Sequence, residues 1–173
     1  MMLPEPISAR DLNIYGDAEL PWSRVVKAIE AGVGLPETPQ FLGTVGAGGR
    51  PHSAGIGVAL HGAHLYFTSG PGTRKSRDLA ANPQCTLSFR FPDVDLVLEG
   101  EAHRTVDPDE LDQVTATYRR LGWPAERAGD AITAPYSAPS AGPAPWHLYR
   151  FTPQTAAALA LTEPHGATHW RFG

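Results

Sequence analysis

A single cysteine, Cys85, leaves this chain of 173 residues without any internal disulfide. Long apolar runs are also missing: none approaches the roughly 20 residues that a helical membrane span requires. Charge of either sign is scarce. Fourteen Lys and Arg face 18 Asp and Glu, for a net charge of −4, and only 18% of residues are charged. That balance supplies no basic face for sequence-independent binding of nucleic acid. The opening residues, Met1 to Pro6, carry neither the basic nor the apolar region of a secretory signal, so a cytoplasmic address is expected. What the chain does have is 18 Gly, 17 Pro and a 42% hydrophobic content. Such a composition suits one globular domain of many short elements joined by turns, large enough for a good core.

Residues 1–20 show little periodicity and read as an arm. Apolar residues at Trp22, Val25, Val26 and Ile29 have helical spacing, with Pro21 suited to a first turn and Gly32 and Gly34 ending the helix. A block of strands follows: Gln40 to Val45, Pro51 to Leu60 and His64 to Thr68, then Gln84 to Arg90 and Asp95 to His103. Asp107-Pro108 caps a second long helix that runs to about Leu121 and stops at Gly122. A short helix is expected over 125–132 and a loop over 134–145, rich in Pro, Ser, Ala and Gly. Strands are expected over 146–151, 155–161 and 167–172. Many short strands, few helices and no βαβ alternation predict a mainly β fold with flanking helices, an antiparallel barrel. The chain thus divides into an arm and helix (1–39) and a barrel domain (40–173).

The most informative stretch is Thr68-Ser-Gly-Pro-Gly-Thr-Arg-Lys-Ser-Arg-Asp-Leu79. Arg74, Lys75 and Arg77 crowd the first turn of a helix entered through glycines. Cations there oppose the positive end of the helix dipole, at about 0.3–1 kcal/mol each. An anion at the same place removes the conflict, because free backbone N–H groups and the dipole both favour it. The bland alternative is a solvated helix start in which Arg74 pairs with Asp78 on the surface.

Other suggestive patterns reduce to structure. His61 and His64 flank a Gly-Ala turn with no Cys or carboxylate cluster, so they read as turn residues rather than metal ligands. Cys85 alternates with Leu87 and Phe89 on one strand face and reads as a core residue. The glycines between Gly43 and Gly49 have the wrong spacing for a dinucleotide fingerprint, and a strand follows them. No Gly-x-Ser-x-Gly elbow occurs.

Several segments, in this order, resemble the pyridoxine 5'-phosphate oxidase-like superfamily: Gly-Arg-Pro-His52, Leu-Tyr-Phe-Thr68, Thr-Arg-Lys-Ser-Arg-Asp-Leu79, Asn-Pro83, Glu-Gly-Glu-Ala102 and Ala-Thr-His-Trp-Arg-Phe172. The resemblance covers roughly residues 40 to 172 and implies a flavin-binding split β-barrel of about six to eight antiparallel strands. It implies that Arg74 and Lys75 bind the flavin phosphate, with Arg77 beside them. Phe67 and Thr68 would touch the ring edge or the phosphate side. His52, Ser53, Ala54 and Gly55 would border the isoalloxazine, where Gly55 and Gly57 let a flat ring approach the backbone. Arg171 matches a cofactor-contacting arginine, and His169 beside it is either a ligand contact or a satisfied structural residue. Asp95 stands where the oxidases place a ring-contacting glutamine, and a carboxylate there accepts hydrogen bonds without donating. No counterpart of the oxidases' substrate-phosphate residues is recognisable, which argues against vitamin B6 as substrate.

The resemblance further implies an oxidoreductase using FMN, with the deazaflavin coenzyme F-420 as rival. The acidic tail of F-420 would want further cations such as Arg50. The alternative is a non-catalytic sensor or stress protein binding flavin or haem. A homodimer with the cofactor at its interface, and a small-molecule substrate, are the partners implied. Trp22, Trp123, Trp146 and Trp170 add more large apolar surface than one small barrel interior easily absorbs.

Overall fold

The structure, a computed structural model, describes residues 3–173. Among them are eleven strands, more than the six to eight expected, and three helices. Nine strands form one antiparallel sheet. Its path runs β1 (Ser8–Asp11), β11 (Ala167–Arg171), β10 (His147–Ala160), β7 (Val94–Thr105), β6 (Gln84–Arg90), β2 (Gln40–Val45), β3 (Pro51–Gly55). β5 (His64–Ser69) branches from the first half of β10 and carries β4 (Val58–His61) on its other edge. The expected strand 51–60 is in fact two, broken at Ile56-Gly57. β3 bonds to β2 and β4 bonds to β5, so the sheet curls around its core without closing into a barrel.

The expected strands 146–151 and 155–161 are one strand, β10, whose register shifts between Pro153 and Thr155. Proline has no N–H for the ladder, so a bulge forms where it sits. Before the bulge β10 pairs with β5, after it with β11, and throughout with β7. Gly100 faces the kink on β7, and a Cβ there would collide with the Thr152 carbonyl oxygen. Part of the arm is ordered too: β1 pairs with β11, its Ser8 opposite Arg171. The segment 125–132 is not a helix but a hairpin, β8 (Glu126–Ala128) and β9 (Ala131–Thr133), turning at Gly129 with φ +64°. Ile132 bridges to Trp146, and that remote contact decides its conformation.

The main core holds the inward residues of the curled sheet, among them Leu42, Phe67, Leu87, Leu96 and Phe151. Helix α1 (Trp22–Gly32) adds Trp22, Val25 and Ile29 to that same cluster, so residues on both sides of position 39 share one core. Helix α3 (Pro108–Arg120) covers a second, smaller cluster with Leu111, Val114 and Tyr118 against Tyr66 and Leu148. Its start is as expected: the Asp107 carboxylate accepts the Glu110 backbone N–H at 2.8 Å, and Pro108 occupies the first turn. Trp22, Trp146 and Trp170 are buried within the protein and Trp123 is half-buried. The interior therefore absorbs three of the four tryptophans and leaves Trp123 partly open. No described helix is long and apolar enough to cross a membrane.

Candidate functional site

Between the β3–β4 break and the start of helix α2 (Arg74–Ala81) lies a cavity of about 620 Å³. Its floor is the backbone of Gly55 to Val58, with Thr68 at the end of β5 and Lys75 on α2. The turn Ser69-Gly-Pro-Gly-Thr73 delivers the chain into α2. Thr73 caps the helix by accepting the Ser76 N–H, while its hydroxyl and those of Ser69 and Ser76 interlock at 2.8–3.3 Å. Gly70 is required by crowding: a Cβ there would stand 2.5 Å from the Ala141 carbonyl oxygen.

The three cations of this turn have different fates. Arg74 is exposed and pairs with Asp78 at 3.6 Å, and Asp78 also accepts the Thr44 hydroxyl at 2.8 Å. Arg77 is exposed and donates to the Gly72 carbonyl at 2.6 Å. Lys75 is only 7% exposed, lines the cavity and has no hydrogen-bond or ion-pair partner among the described residues. Burial lowers its pKa below the ordinary lysine value, because no carboxylate offsets the lost hydration. Successive helical residues point about 100° apart, so neighbours in sequence face different surroundings. The surface pair Arg74–Asp78 and the buried cation Lys75 thus coexist in one turn.

The remaining expected residues separate by strand alternation. On β3, Ser53 lies opposite Gly43 and Gly55 opposite Phe41, on the outer face of the sheet. His52 and Ala54 lie opposite the buried Thr44 and Leu42, on the inner face. His169 and Arg171 flank the buried Trp170 and therefore share the outer face with Ser53 and Gly55. Phe67 is fully buried and stacks on Tyr149 with ring centroids 5.3 Å apart. Its side chain packs in the core and does not line the cavity. Asp95 is engaged by Arg90 at 2.6 and 2.7 Å, a bond that holds its carboxyl below the usual carboxylate range, and it does not line the cavity. Of the expected set, Gly55, Thr68 and Lys75 converge on the cavity.

The opposite wall was not anticipated residue by residue. Leu35 follows α1, Leu121 and Trp123 follow α3, and Tyr136, Ser137 and Ala141 belong to the loop 134–145. That loop is a strap over the cavity. The Trp123 indole N–H donates to the Tyr136 carbonyl at 2.7 Å and the Trp146 indole N–H to the Gly142 carbonyl at 3.0 Å. Its length and composition were the one signal in the sequence. His61 is tied to α3, its ring nitrogens 3.0 Å from the Thr117 hydroxyl and 3.1 Å from Gln113 Oε1. Cys85 is buried, and desolvation pushes its thiol up to about 12.

The family described as pyridoxamine 5'-phosphate oxidase matches residues 28–159, the span that contains both the β3–β4 floor and the α2 cations. The chain belongs to this family. A pyridoxine/pyridoxamine 5'-phosphate oxidase of Bacteroides thetaiotaomicron is 36% identical over 90 residues, covering 50% of this chain and 41% of that protein. The chain thus spans about two fifths of the length of that curated relative. Among solved structures, a pyridoxamine 5'-phosphate oxidase-related, FMN-binding protein of Nostoc punctiforme superposes with TM-score 0.55 at 18% identity, over 87% of this chain and 90% of its own. A haem-binding protein of Mycobacterium smegmatis gives TM-score 0.62 at 14% identity, over 87% and 58%. Identities this low carry the fold and nothing finer. The split-barrel assignment, mainly β with three flanking helices, stands on both.

Proposed function

We propose that the protein binds FMN in the cavity beside Lys75 and acts as a flavin-dependent oxidoreductase on a small organic molecule. One observation carries this reading: a lysine buried along its length, whose ammonium has no protein partner among the described residues and opens into a cavity with a glycine-bordered floor, at the N-terminus of a helix. A desolvated, unpaired cation is costly unless an anion meets it. A phosphate there would take a charge-assisted bond from Lys75 together with N–H groups of the first turn of α2. At Gly55 and Gly57 no atom stands within 4 Å of the place a Cβ would take, so a flat ring can lie against their backbone.

When bound, FMN supplies hydride transfer at its N5 position. The chain's own residues anchor, orient and shield. Lys75 offsets part of the phosphate charge, Thr68 offers a hydroxyl at the end of β5, and the strap over 134–145 covers one side of the cavity. No carboxylate or imidazole lines the cavity among the described residues, and the proton-bearing side chains there are the hydroxyl groups of tyrosine, serine and threonine and Lys75.

The number of free cations favours FMN over F-420. Arg74 is engaged by Asp78 and Arg77 by a carbonyl, while Arg50 sits exposed on the β2–β3 turn outside the cavity lining. One phosphate matches one lysine; an extended acidic tail does not. Haem would find no His, Cys or Met among the described lining residues to serve as axial ligand. The homodimer belongs to this proposal as well. The outer sheet face exposes Phe41, Val97 and Leu159 beside the small residues Gly43, Ser88 and Ala157, an apolar strip bordered by the Arg90–Asp95 pair and Glu99 and suited to a second copy. Ser53, Gly55, His169 and Arg171 lie on that same face.

Titration of the purified protein with FMN, F-420 and haem in parallel, followed by visible spectra, tests the reading. Saturable FMN binding is expected, with turnover once a nicotinamide or deazaflavin donor and an acceptor are added. Absence of FMN binding, or equal binding by the Lys75→Met variant, would overturn it. Binding without turnover to any acceptor would make the protein a flavin carrier or sensor instead.

A further inference from the structure

Once a phosphate occupies Lys75, the cavity has no cation left for a second anion. Every other lining residue among those described is neutral. The wall formed by Leu35, Leu121, Trp123 and Tyr136 is hydrophobic and only partly covered: Leu35 and Leu121 are each 37% exposed and Tyr136 is 60% exposed. Three large apolar side chains left open around one cavity mouth are a surface prepared for an apolar ligand.

Trp123 is the fixed element of this wall. Its indole N–H donates to the Tyr136 carbonyl at 2.7 Å. Tyr118 meets it edge-on, with ring centroids 5.1 Å apart and planes at 89°, and Trp146 tilts against it at 5.6 Å. Tyr118 and Trp146 are themselves buried, so the indole is held in one orientation while remaining half-open toward the cavity. A preorganised aromatic face loses little entropy when a ligand ring packs on it. The neighbouring Ser137 and Thr38 offer neutral polar groups at the same cavity.

We propose that this wall takes an uncharged, flat aromatic ring as the substrate, and that Trp123 is the residue that sets the preference. The proposal rests on the flavin reading of Lys75, because a free Lys75 would itself attract an anionic ligand. An anionic substrate would have to leave its charge in a neutral, half-desolvated slot, so the same ring bearing a phosphate is discriminated against.

Equilibrium dialysis of the FMN-loaded protein against 2-naphthol and 2-naphthyl phosphate tests this, with retained FMN measured in the same samples. The expected result is that 2-naphthol binds at least about tenfold more tightly than its phosphate ester, and that Trp123→Ala weakens 2-naphthol by about tenfold. Trp123→Phe, which keeps a ring and guards against a folding defect, restores most of that loss, with 2-naphthol binding compared at matched FMN occupancy in each variant. Equal binding of the two naphthyl probes, or 2-naphthol binding indifferent to Trp123→Ala, overturns the proposal while leaving the cofactor reading intact. Loss of FMN from the wild-type protein during dialysis overturns the cofactor reading, and the substrate assignment with it.

Discussion

Two charged side chains withdrawn from water, Lys75 and Glu110, have opposite surroundings. Glu110 accepts the Tyr66 hydroxyl at 2.6 Å, the Thr105 hydroxyl, and a guanidinium N–H of Arg150 at 3.3 Å. Desolvation pushes its pKa up, but the bonds from Thr105 and Tyr66 and the charge of Arg150 outweigh it and hold the carboxyl below its ordinary value. The Tyr66 phenol is raised correspondingly, by burial first and by its bond to Glu110 second. Lys75 has none of this company, and burial alone moves its pKa. A half-buried charge with its full set of partners fastens α3 to β5 and β10. Lys75, without partners among the described residues, is the side chain on which the proposed anion site depends. The difference between the two is what separates structure from site in this molecule.

The largest effect expected from breaking this contrast is on ligand affinity. Lys75→Met should weaken FMN binding by about 10- to 100-fold, the worth of one charge-assisted bond at about 1.5–3 kcal/mol, in a dialysis titration. The same substitution should leave the ligand-free protein as stable as the wild type or more so in urea unfolding, because a desolvated lone charge is removed. A fall in ligand-free stability would mean that Lys75 has a structural partner.

Glu110 should behave in the opposite way. Glu110→Gln is expected to cost about 1–3 kcal/mol of unfolding free energy at neutral pH and to leave FMN affinity unaltered. Its pH dependence follows from the sign of the shift. With the folded pKa below the ordinary 4.5, the network's contribution is complete above that value and is lost as pH falls through the folded pKa. Wild-type stability should therefore drop more steeply than that of Glu110→Gln as the solution is acidified below pH 4.5.

Lys75 titrates in the other direction. Its folded pKa lies below 10.5, so Lys75 by itself adds stability to the ligand-free protein as pH rises toward 10.5, against the opposite trend of Cys85 and Tyr66, while FMN affinity declines over the same range as the ammonium is lost. In Lys75→Met the Lys75 share of both slopes should vanish, so the difference between variant and wild type is the quantity to follow. The smallest effect belongs to Arg74→Ala. An exposed pair with Asp78 contributes about 0.2–1 kcal/mol, and FMN affinity should change by less than about fivefold. A loss matching that of Lys75→Met would show Arg74 leaving Asp78 for the ligand, and the distinction between neighbouring cations would disappear.

Much of the scaffold was legible because local rules decided it. Asp107 and Pro108 cap a helix wherever they meet such a sequence, and Thr73 does the same beside Gly70 to Gly72. Alternation in Gln84 to Arg90 marks a strand, with Cys85, Leu87 and Phe89 inward as the pattern requires. The errors fell where distant partners choose the conformation. Residues 126–133 form a hairpin because Ile132 reaches Trp146, and Ser8 to Asp11 become a strand because β11 offers an edge. Phe67 went into the core because its side of β5 faces Tyr149. The cavity's second wall joins residues about a hundred positions apart, Leu35 and Tyr136, and no local pattern announces that meeting.

By itself the sequence determined the caps, the turns, the strand alternation and the gathering of three cations at one helix start, since each depends on residues within a few positions. Only the tertiary structure decided which of those cations is free. Asp78 reaches Arg74, a carbonyl reaches Arg77, and the turn of the helix carries Lys75 inward to a place where no acid follows. Partnership depends on distance and dielectric in three dimensions, and neither is written in the order of the residues.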